Sequence, residues 1–298
     1  MNPRVARQLP AASRQPPAGS RKLEAGSWKL AAGSWKLVAG SWLLLFVACG
    51  GSGGSSTPTS PSPSPLPSAT ACLAIGSTGA GATAIVNGAE CSRSAGSVVL
   101  LNLQDASQIL TAQCSGTVIA PRAVLTAAHC VPGAVTSRIF TGSFPEVLGT
   151  HIAGHPGYKQ SAGSAFDVAV VTSDTDIGRP PIPLLTSRDA RVGEAAVVSG
   201  WGKDTNELSG TLRAGNTTIS VVTSDVLQTQ FSASSAFVCQ GDSGGPILVQ
   251  EGGVWAIAGV ISANTNTACN TGDNFYAAIR SASVMSFILD HVPDAARR

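Results

Sequence analysis

The region from residue 85 to residue 298 consists of short runs of β-branched and other apolar residues, each followed closely by glycine, proline, asparagine, aspartate or serine. Such runs between turn signals are typical of strands, and strands at this spacing without intervening helices predict an all-β barrel or sandwich. Only Ala282–His291 has the apolar spacing of a helix. The runs that predict strands are Ser97–Leu103, Gly116–Ile119, Val168–Val171, Ala195–Ser199, Thr217–Val222, Pro246–Val249 and Trp255–Ile261.

Charge is distributed unevenly along the chain. The formal net charge is +2, yet residues 1–48 carry seven Lys or Arg and one Glu, which leaves 12 basic and 16 acidic groups in residues 49–298. The remainder is therefore net acidic and has no basic footprint for nucleic acid. Because 43% of the residues are hydrophobic, the chain can bury a sizeable core. We expect a globular protein that does not bind nucleic acid.

The N-terminal arm contains a seven-residue repeat, Lys22–Trp28, Lys29–Trp35 and Lys36–Trp42. Gly-Ser in every repeat, and the presence of only three repeats, argue against a coiled coil. We interpret the repeat as a translated DNA repeat, or as the result of a start codon placed too early, rather than as a folded element.

An apolar run, Leu43–Ala48, follows the basic arm and ends at Cys49. It is too short to span a bilayer, which needs about 20 residues, but it suits the apolar region of an export signal. Cys49 with the Gly-Gly-Ser-Gly-Gly after it resembles the lipobox of bacterial lipoproteins, although Phe46 stands where Leu is usual. The resemblance implies export, lipidation at Cys49 and a membrane anchor. The alternative is an ordinary signal peptide with an incidental cysteine.

The chain divides by composition into four parts. Residues 1–49 are the basic arm and the signal-like segment. Residues 50–70 are almost entirely Gly, Ser, Thr and Pro, cannot bury enough apolar surface to fold, and predict a linker. Residues 71–84 are small and glycine-rich, and residues 85–298 form the predicted β domain.

Three segments of the β domain carry residue types suited to catalysis. His129 lies in Leu-Thr-Ala-Ala-His-Cys, Asp167 heads the apolar run Asp-Val-Ala-Val, and Ser243 lies in Gly-Asp-Ser-Gly-Gly-Pro. In this chain order of His, Asp and Ser, the segments resemble the chymotrypsin-like, or trypsin-like, serine peptidases. Further matches to that family lie at Ile85–Gly88, His155–Tyr158, Ser199–Gly202 and Ser262.

The resemblance covers 85–298 and implies the fold and the location of the site. The expected fold is all-β, with two six-stranded antiparallel β-barrels and a C-terminal helix. His129 and Asp167 would come from the first barrel and Ser243 from the second, with the active site between them. Residues 71–84 would then be a pro-segment, and the activity that of a serine endopeptidase.

The chemistry explains why these residue types are needed. A serine hydroxyl is a poor nucleophile at neutral pH and requires a base, the role that the resemblance assigns to His129. Asp167 would hold the imidazole in the correct tautomer, and the N–H groups of Gly241 and Ser243 would form an oxyanion hole. In related sites, removal of one such donor lowers the rate by about 10²–10³. The acids that could compete with Asp167 are Asp105, Asp174 and Asp176.

Other functions also fit parts of the pattern. The glycines around Ser243 match the nucleophile elbow of α/β-hydrolases, and Asp273 and His291 follow in the chain order of that fold. That elbow requires a helix after the serine, whereas Pro246 and a β-branched run follow here. A protease-like binding module and a hydrolase of esters are the remaining alternatives.

Seven cysteines in an exported protein predict disulfides with one cysteine left over. The family resemblance implies the pairs Cys114–Cys130 and Cys239–Cys269. If Cys49 is lipidated, Cys72 and Cys91 remain. We hypothesise that these two pair and hold the pro-segment to the catalytic domain after cleavage.

The resemblance also implies activation by proteolysis. In the family, a new N-terminal ammonium group pairs with the Asp that precedes the catalytic Ser, and Ile85 and Asp242 occupy those positions. The predicted scissile bond, Ala84–Ile85, has no Lys or Arg before it. We therefore expect a separate activating peptidase that prefers small residues.

The residues at the expected substrate pocket differ from those of trypsin. Phe237 occupies the pocket-floor position, and an apolar floor cannot compensate the charge of a substrate Lys or Arg. Asn264 and Asn274 replace two glycines, and Ala263 replaces a Trp. We expect a shallow pocket for small or modest apolar P1 residues, in a polypeptide substrate that pairs with Ser262–Asn264 as an added strand.

No metal or cofactor is expected. Between His129 and Asp167 the only acid is Glu146, and a calcium site needs several oxygen ligands. His151 and His155 are four positions apart, but no Cys or carboxylate lies close by in the sequence. We interpret both as loop residues.

Overall fold

The computed structural model describes residues 70–298, except 83–84, 86, 161–163, 205, 207 and 267–268. The basic arm, the signal-like segment, Cys49 and residues 50–69 of the linker lie outside the described residues. Within the described part, no helix is both long enough and apolar enough to cross a membrane.

The described chain contains fourteen strands, one α-helix and two short 3₁₀ helices. The 3₁₀ helices are Cys72–Ile75 and Ala128–Cys130. The helix α1 is Ala282–His291. The strands are β1 (Gly79–Ala82), β2 (Ala89–Cys91), β3 (Val98–Gln104), β4 (Leu110–Ala120), β5 (Ala123–Thr126), β6 (Thr136–Phe140), β7 (Val147–Gly154), β8 (Ala169–Ser173), β9 (Ala195–Gly200), β10 (Arg213–Val222), β11 (Val226–Gln230), β12 (Pro246–Glu251), β13 (Val254–Asn264) and β14 (Asp273–Ala278).

The first barrel is closed, with the strand order β3-β4-β5-β8-β7-β6 and antiparallel pairing throughout. Alternate residues of β3, namely Val99, Leu101 and Leu103, are completely buried, as expected for a strand with one face toward a core. Gly116 in β4 lets the barrel close, because a Cβ at that position would lie 2.4 Å from the Val124 side chain.

The second barrel has the order β9-β10-β11-β14-β13-β12, and β12 pairs with β9 to complete it. All of these pairings are antiparallel. The strands β1 and β2 extend the sheet from β10. The helix α1 follows the last strand and buries Val284, Phe287 and Ile288. The prediction of two six-stranded antiparallel barrels with a C-terminal helix is confirmed.

All seven runs that predicted strands lie within or overlap observed strands. Several other strands were not predicted from the sequence, and β7 illustrates the reason. Gly149 interrupts its alternation, yet it is needed there because a Cβ would lie 2.5 Å from Val171 in the neighbouring strand. A glycine required for close packing weakens the local β-propensity of the strand that contains it.

Residues 70–82 pack onto the body of the protein rather than extending away from it. The side chains of Cys72 and Ile75 are completely buried. The Ser97 N–H donates to the Ile75 carbonyl at 2.9 Å, and a disulfide joins Cys72 to Cys91. Cys72 and Ile75 are therefore part of the folded core, and Cys72 is also covalently attached to it.

We expect the double variant Cys72→Ser/Cys91→Ser to lose about 3 kcal/mol of unfolding free energy, because the unfolded chain regains the entropy of a loop of this length. Urea denaturation followed by tryptophan fluorescence measures the loss. Non-reducing peptide mapping checks that the other disulfides remain intact. An unchanged urea midpoint would contradict the prediction.

Candidate active site

The antiparallel pairing of β5 with β8 places His129 beside Asp167. Thr126 at the end of β5 is opposite Ala169 at the start of β8. The residues just after β5 and just before β8 therefore lie at the same edge of the barrel. His129 occupies the 3₁₀ helix after β5, and Asp167 lies two positions before the first residue of β8. The Asp167 carboxylate accepts the His129 main-chain N–H at 2.8 Å, and its other oxygen lies 2.7 Å from His129 Nδ1.

Asp167 is 1% exposed, so its charge depends on protein donors. A third donor comes from the second barrel, where the Ser262 hydroxyl donates to Asp167 Oδ2 at 2.5 Å. Burial, and then the negative charge of Asp167, raise the pKa of the nearby Tyr158 phenol. The contact of Asp167 with Nδ1 leaves His129 Nε2 as the ring nitrogen that can accept a proton.

A disulfide between Cys114 and Cys130 ties the 3₁₀ helix that carries His129 to β4. The sulfurs of these two cysteines and the His129 ring lie close together, in a cluster that resembles a metal site by composition. Metal binding requires thiolates, and both sulfurs are already in the disulfide bond. We therefore assign the cluster a structural role.

The loop that carries Ser243 adopts a conformation that requires glycine. Gly241 has φ +94° and Gly244 has φ +84°, values in the left-handed region. A Cβ on Gly244 would also lie 2.1 Å from the Thr126 hydroxyl. These glycines let the Ser243 loop of the second barrel approach the end of β5 in the first barrel. The 3₁₀ helix that carries His129 follows directly after β5.

Ser115 in β4 connects the first barrel to this loop and was missed by sequence reasoning. Its N–H donates to the Ser243 carbonyl at 2.8 Å, and its hydroxyl donates to the Gly241 carbonyl at 2.9 Å. The same hydroxyl accepts the N–H of Trp201 at 2.9 Å. A lone serine in a strand carries no local pattern that could have indicated these contacts.

The peptide between Gln240 and Gly241 has its orientation fixed by a hydrogen bond to Lys203. The Gln240 carbonyl accepts the Lys203 N–H at 2.8 Å. Because the C=O and N–H of a trans peptide point in opposite directions, the Gly241 N–H points away from Lys203. Among the described residues, neither the Gly241 N–H nor the Ser243 N–H has a protein acceptor. Both are therefore available to a bound oxyanion.

Asp242 lies between these two residues in the chain, and its side chain is 1% exposed. One carboxylate oxygen accepts the Gly202 N–H and the other accepts the Cys239 N–H, each at 2.8 Å. Burial raises the pKa of the Asp242 carboxyl to about 6, against the opposing effects of these two N–H groups and of the charge on Arg213. At neutral pH the carboxylate is mostly ionised.

The structure gives no hydrogen bond between Ser243 Oγ and His129 Nε2 among the described side chains. His129 Nε2 instead lies 3.7 Å from Cys130 Sγ. Catalytic hydrogen bonds of this kind are often formed only when substrate is bound. Other hydrogen bonds therefore orient the His129 ring and hold the backbone of the Ser243 loop, without a bond between Ser243 Oγ and His129 Nε2.

A cavity of about 210 Å³ opens beside Ser243. Across it, the Asn264 side-chain amide donates to the Val238 carbonyl at 3.1 Å, which joins the two walls. The residues that line it are Val238, Cys239, Gln240, Ser243, Ile261, Ser262, Ala263 and Asn264. Three of the predicted substrate-binding residues, Ser262, Ala263 and Asn264, are in this set.

The other two predicted pocket residues, Phe237 and Asn274, do not line the cavity and are completely buried. Phe237 packs edge-to-face on Phe231 and against the Cys239–Cys269 disulfide. Asn274 Nδ2 donates to the Thr229 hydroxyl at 3.2 Å.

The structure also places Ile85, the three aspartates that could compete with Asp167, and His155. Ile85 is 1% exposed and packs in the core of the second barrel. Asp105 and Asp176 accept main-chain N–H groups of their own loops, and Asp174 is exposed. His155 is buried, with its ring bonded to Ser283.

The structure does not support the α/β-hydrolase alternative. Asp273 lies in β14, and the exposed His291 ends α1, where its ring bonds the Phe287 carbonyl. Strand β12 follows Ser243, where an α/β-hydrolase elbow requires a helix.

Comparisons with a family model, with other proteins and with a solved structure all give matches to this chain. The family model described as Trypsin matches residues 85–288. A trypsin of Saccharopolyspora erythraea is 31% identical over 160 residues, which cover 46% of this chain and 70% of that protein. Kallikrein-11 of Homo sapiens is 30% identical over 226 residues, 64% of this chain and 74% of that protein. A solved structure titled HL collagenase has a TM-score of 0.56 at 21% identity, covers 66% of this chain and 93% of its own, and shows the same fold.

We expect Ser115→Ala to lower the free energy of unfolding by about 1–3 kcal/mol, because it leaves the buried Trp201 N–H and the part-buried Gly241 carbonyl without their partner. Thr117→Val in the same strand is the matched control, since the Thr117 hydroxyl is buried without a partner among the described residues. Urea denaturation compares the two. Equal losses for both variants would contradict the role assigned to Ser115.

Proposed function

The chain belongs to the trypsin family of serine endopeptidases, and we propose that it hydrolyses peptide bonds through Ser243, His129 and Asp167 by way of an acyl-enzyme. The observation that carries the proposal is the buried Asp167 carboxylate, which is bonded to His129 and to Ser262 from the other barrel. This arrangement leaves one nitrogen of the imidazole free to accept the proton of a serine.

In acylation, Ser243 Oγ attacks the substrate carbonyl carbon while His129 Nε2 takes the hydroxyl proton. The carbonyl oxygen becomes an oxyanion that accepts the N–H groups of Gly241 and Ser243. His129 then donates the proton to the leaving amine as the C–N bond breaks. In deacylation, water attacks the acyl-enzyme ester with His129 again as the base, and the proton returns to Ser243.

The substrate is a polypeptide bound in an extended conformation. β12 pairs with β13 only as far as Val260, so β12 leaves one edge of Ser262–Asn264 unpaired next to Ser243. An extended peptide can add to this edge as a strand. Its P1 side chain would then enter the cavity that Asn264 bridges to Val238.

The hydrogen bond between the Asn264 amide and the Val238 carbonyl makes this cavity suited to small P1 residues such as Ala. It closes the space that a large side chain would need. We expect Asn264→Gly to raise kcat/KM for a Phe P1 substrate about 10-fold relative to Ala, since burial of the larger side chain becomes possible. Paired p-nitroanilide peptides that differ only at P1 measure the ratio. Asn102→Gly, at an amide of the first barrel bonded to Glu146, is the control. An unchanged preference in Asn264→Gly would contradict the assignment.

Activation is proposed to follow cleavage of Ala84–Ile85 by a separate peptidase of small-residue preference. The new ammonium group of Ile85 would pair with Asp242. Two observations support this: Ile85 is already buried in the second barrel, and the buried Asp242 charge would be stabilised by a second cation. The disulfide Cys72–Cys91 would keep residues 70–82 attached after cleavage.

We also propose that the protein is exported and anchored through lipid on Cys49. The three disulfides support export, because such bonds persist outside the reducing cytosol. Palmitate labelling of Cys49→Ala against the parent chain would separate an anchored form from one with an ordinary signal peptide.

A catalytically weak binding module is the second candidate, favoured by the missing Ser243–His129 bond and by the bridged cavity. Fluorophosphonate labelling, read by peptide mass spectrometry, decides between the two, with Ser243→Ala as the control. We expect one adduct on Ser243 in protein cut at Ala84–Ile85. Labelling should be slower before the cut, because the Ile85 ammonium group that would hold Asp242 in place has not yet formed.

No adduct on correctly cut protein would favour the binding module. Full reactivity of the uncut chain would contradict activation by cleavage. Matched amide and ester substrates then distinguish a peptidase from an esterase.

A further inference from the structure

Arg213, the first residue of β10, is a buried cation that the proposed chemistry does not use. It is 2% exposed. Its guanidinium donates to the carbonyls of Gly202 and Leu208, each at 3.0 Å, and to the Asp204 carboxylate at 3.0 Å. Asp204 in turn accepts the Leu208 N–H at 2.9 Å. One charged pair thus holds both ends of the chain segment between Gly202 and Leu208.

The position of Arg213 is itself fixed by the sheet. Its backbone pairs with Gly200 in β9 on one side and with Glu90 in β2 on the other. The Ser199 hydroxyl also donates to the Arg213 carbonyl at 2.6 Å. The guanidinium therefore extends from a paired strand toward Gly202, Asp204 and Leu208.

The residues that Arg213 holds are the ones that support the loop of Gly241 and Ser243. Gly202, whose carbonyl accepts from Arg213, donates its N–H to the Asp242 carboxylate at 2.8 Å. The next residue, Lys203, donates its N–H to the Gln240 carbonyl. That second bond turns the Gly241 N–H away from Lys203 and leaves it free for an oxyanion.

The positive charge of Arg213 supports the same arrangement as its hydrogen bonds. The positive charge of Arg213 lowers the pKa of Asp242, against the upward effect of burial. An ionised Asp242 accepts an N–H on each oxygen, whereas a protonated one loses an acceptor. Arg213 thus favours the protonation state in which the carboxylate can hold both Gly202 and Cys239.

We propose that Arg213 is a positioning residue for the oxyanion hole, which acts by fixing the Gly202–Lys203 backbone and through it Asp242 and Gln240. This inference rests on the proposed peptidase function and deepens it. The effect is additional to any contribution from the Ile85 ammonium group. Arg213 reaches the reacting atoms only through Asp242 and Gln240, so it should affect the transition state more than substrate binding.

The test compares Arg213→Gln with Arg188→Gln in chain cut at Ala84–Ile85. Arg188 is the matched control, because it is an arginine bonded to Glu194, Glu251 and the Gln250 carbonyl. Three quantities are measured for each variant: kcat, KM for a peptide amide with Ala at P1, and Ki for the corresponding peptide aldehyde. The aldehyde forms a hemiacetal with Ser243 whose oxyanion occupies the hole, so its Ki reports on the hole.

We expect kcat of Arg213→Gln to fall about 10- to 100-fold, less than the full loss of an oxyanion donor, with KM changed by no more than about twofold. The aldehyde Ki should rise by a similar factor. Arg213→Lys, which keeps the charge, should recover part of both losses. A merely structural residue would lower the melting temperature without this selective loss of aldehyde affinity.

The double variant Asp204→Asn/Arg213→Gln removes both buried charges together and so does not strand a carboxylate. If Arg213→Gln does not fold, this double variant replaces it in the test. The same fall in kcat and rise in aldehyde Ki are expected. Wild-type kcat and aldehyde Ki in either Arg213 variant would overturn the inference, as would an equal loss in Arg188→Gln. If the wild-type protein cut at Ala84–Ile85 gives no fluorophosphonate adduct, the proposed function fails, and this inference fails with it.

Discussion

The buried carboxylate of Asp167 is the constraint on which the arrangement of the two barrels depends. A carboxylate with almost no contact with water must be stabilised by donors. Asp167 obtains them from both barrels: His129 supplies a main-chain N–H and its ring, and Ser262 supplies a hydroxyl. A displacement of one barrel relative to the other would leave this charge with fewer donors. The stability of the interface and the orientation of the imidazole are therefore coupled.

A second buried carboxylate, Asp242, organises the other half of the site. It fixes the backbone around Ser243 through the N–H groups of Cys239 and Gly202. The loop must then approach its neighbours closely, and a Cβ on Gly202 would come within 2.5 Å of the Asp242 amide nitrogen. The buried Asp242 carboxylate is thus solvated by main-chain N–H groups instead of water. Those groups can come close enough because Gly202 has no Cβ.

The two halves differ in how well local sequence predicts them. His129, Asp167 and Ser243 stand in short motifs, so they were predicted from the sequence, and the pairing of β5 with β8 places the first two in contact. Ser115 and Arg213 were missed, because each is a single polar residue in a strand and acts through residues distant in the chain. Strands such as β7 were missed for a related reason: a glycine required by a neighbouring strand obscures the alternation.

The sequence by itself determined the all-β fold class, the chain order of the proposed catalytic residues and the position of the helix, because these depend on local periodicity and short motifs. Only the tertiary structure decided the form of the substrate cavity. It buried Phe237 and Asn274 without placing them in the lining of that cavity, and it joined the Asn264 amide to the Val238 carbonyl. The depth of a pocket depends on the separation of two walls from different parts of the chain, and that separation follows from strand register and packing, which no local pattern encodes.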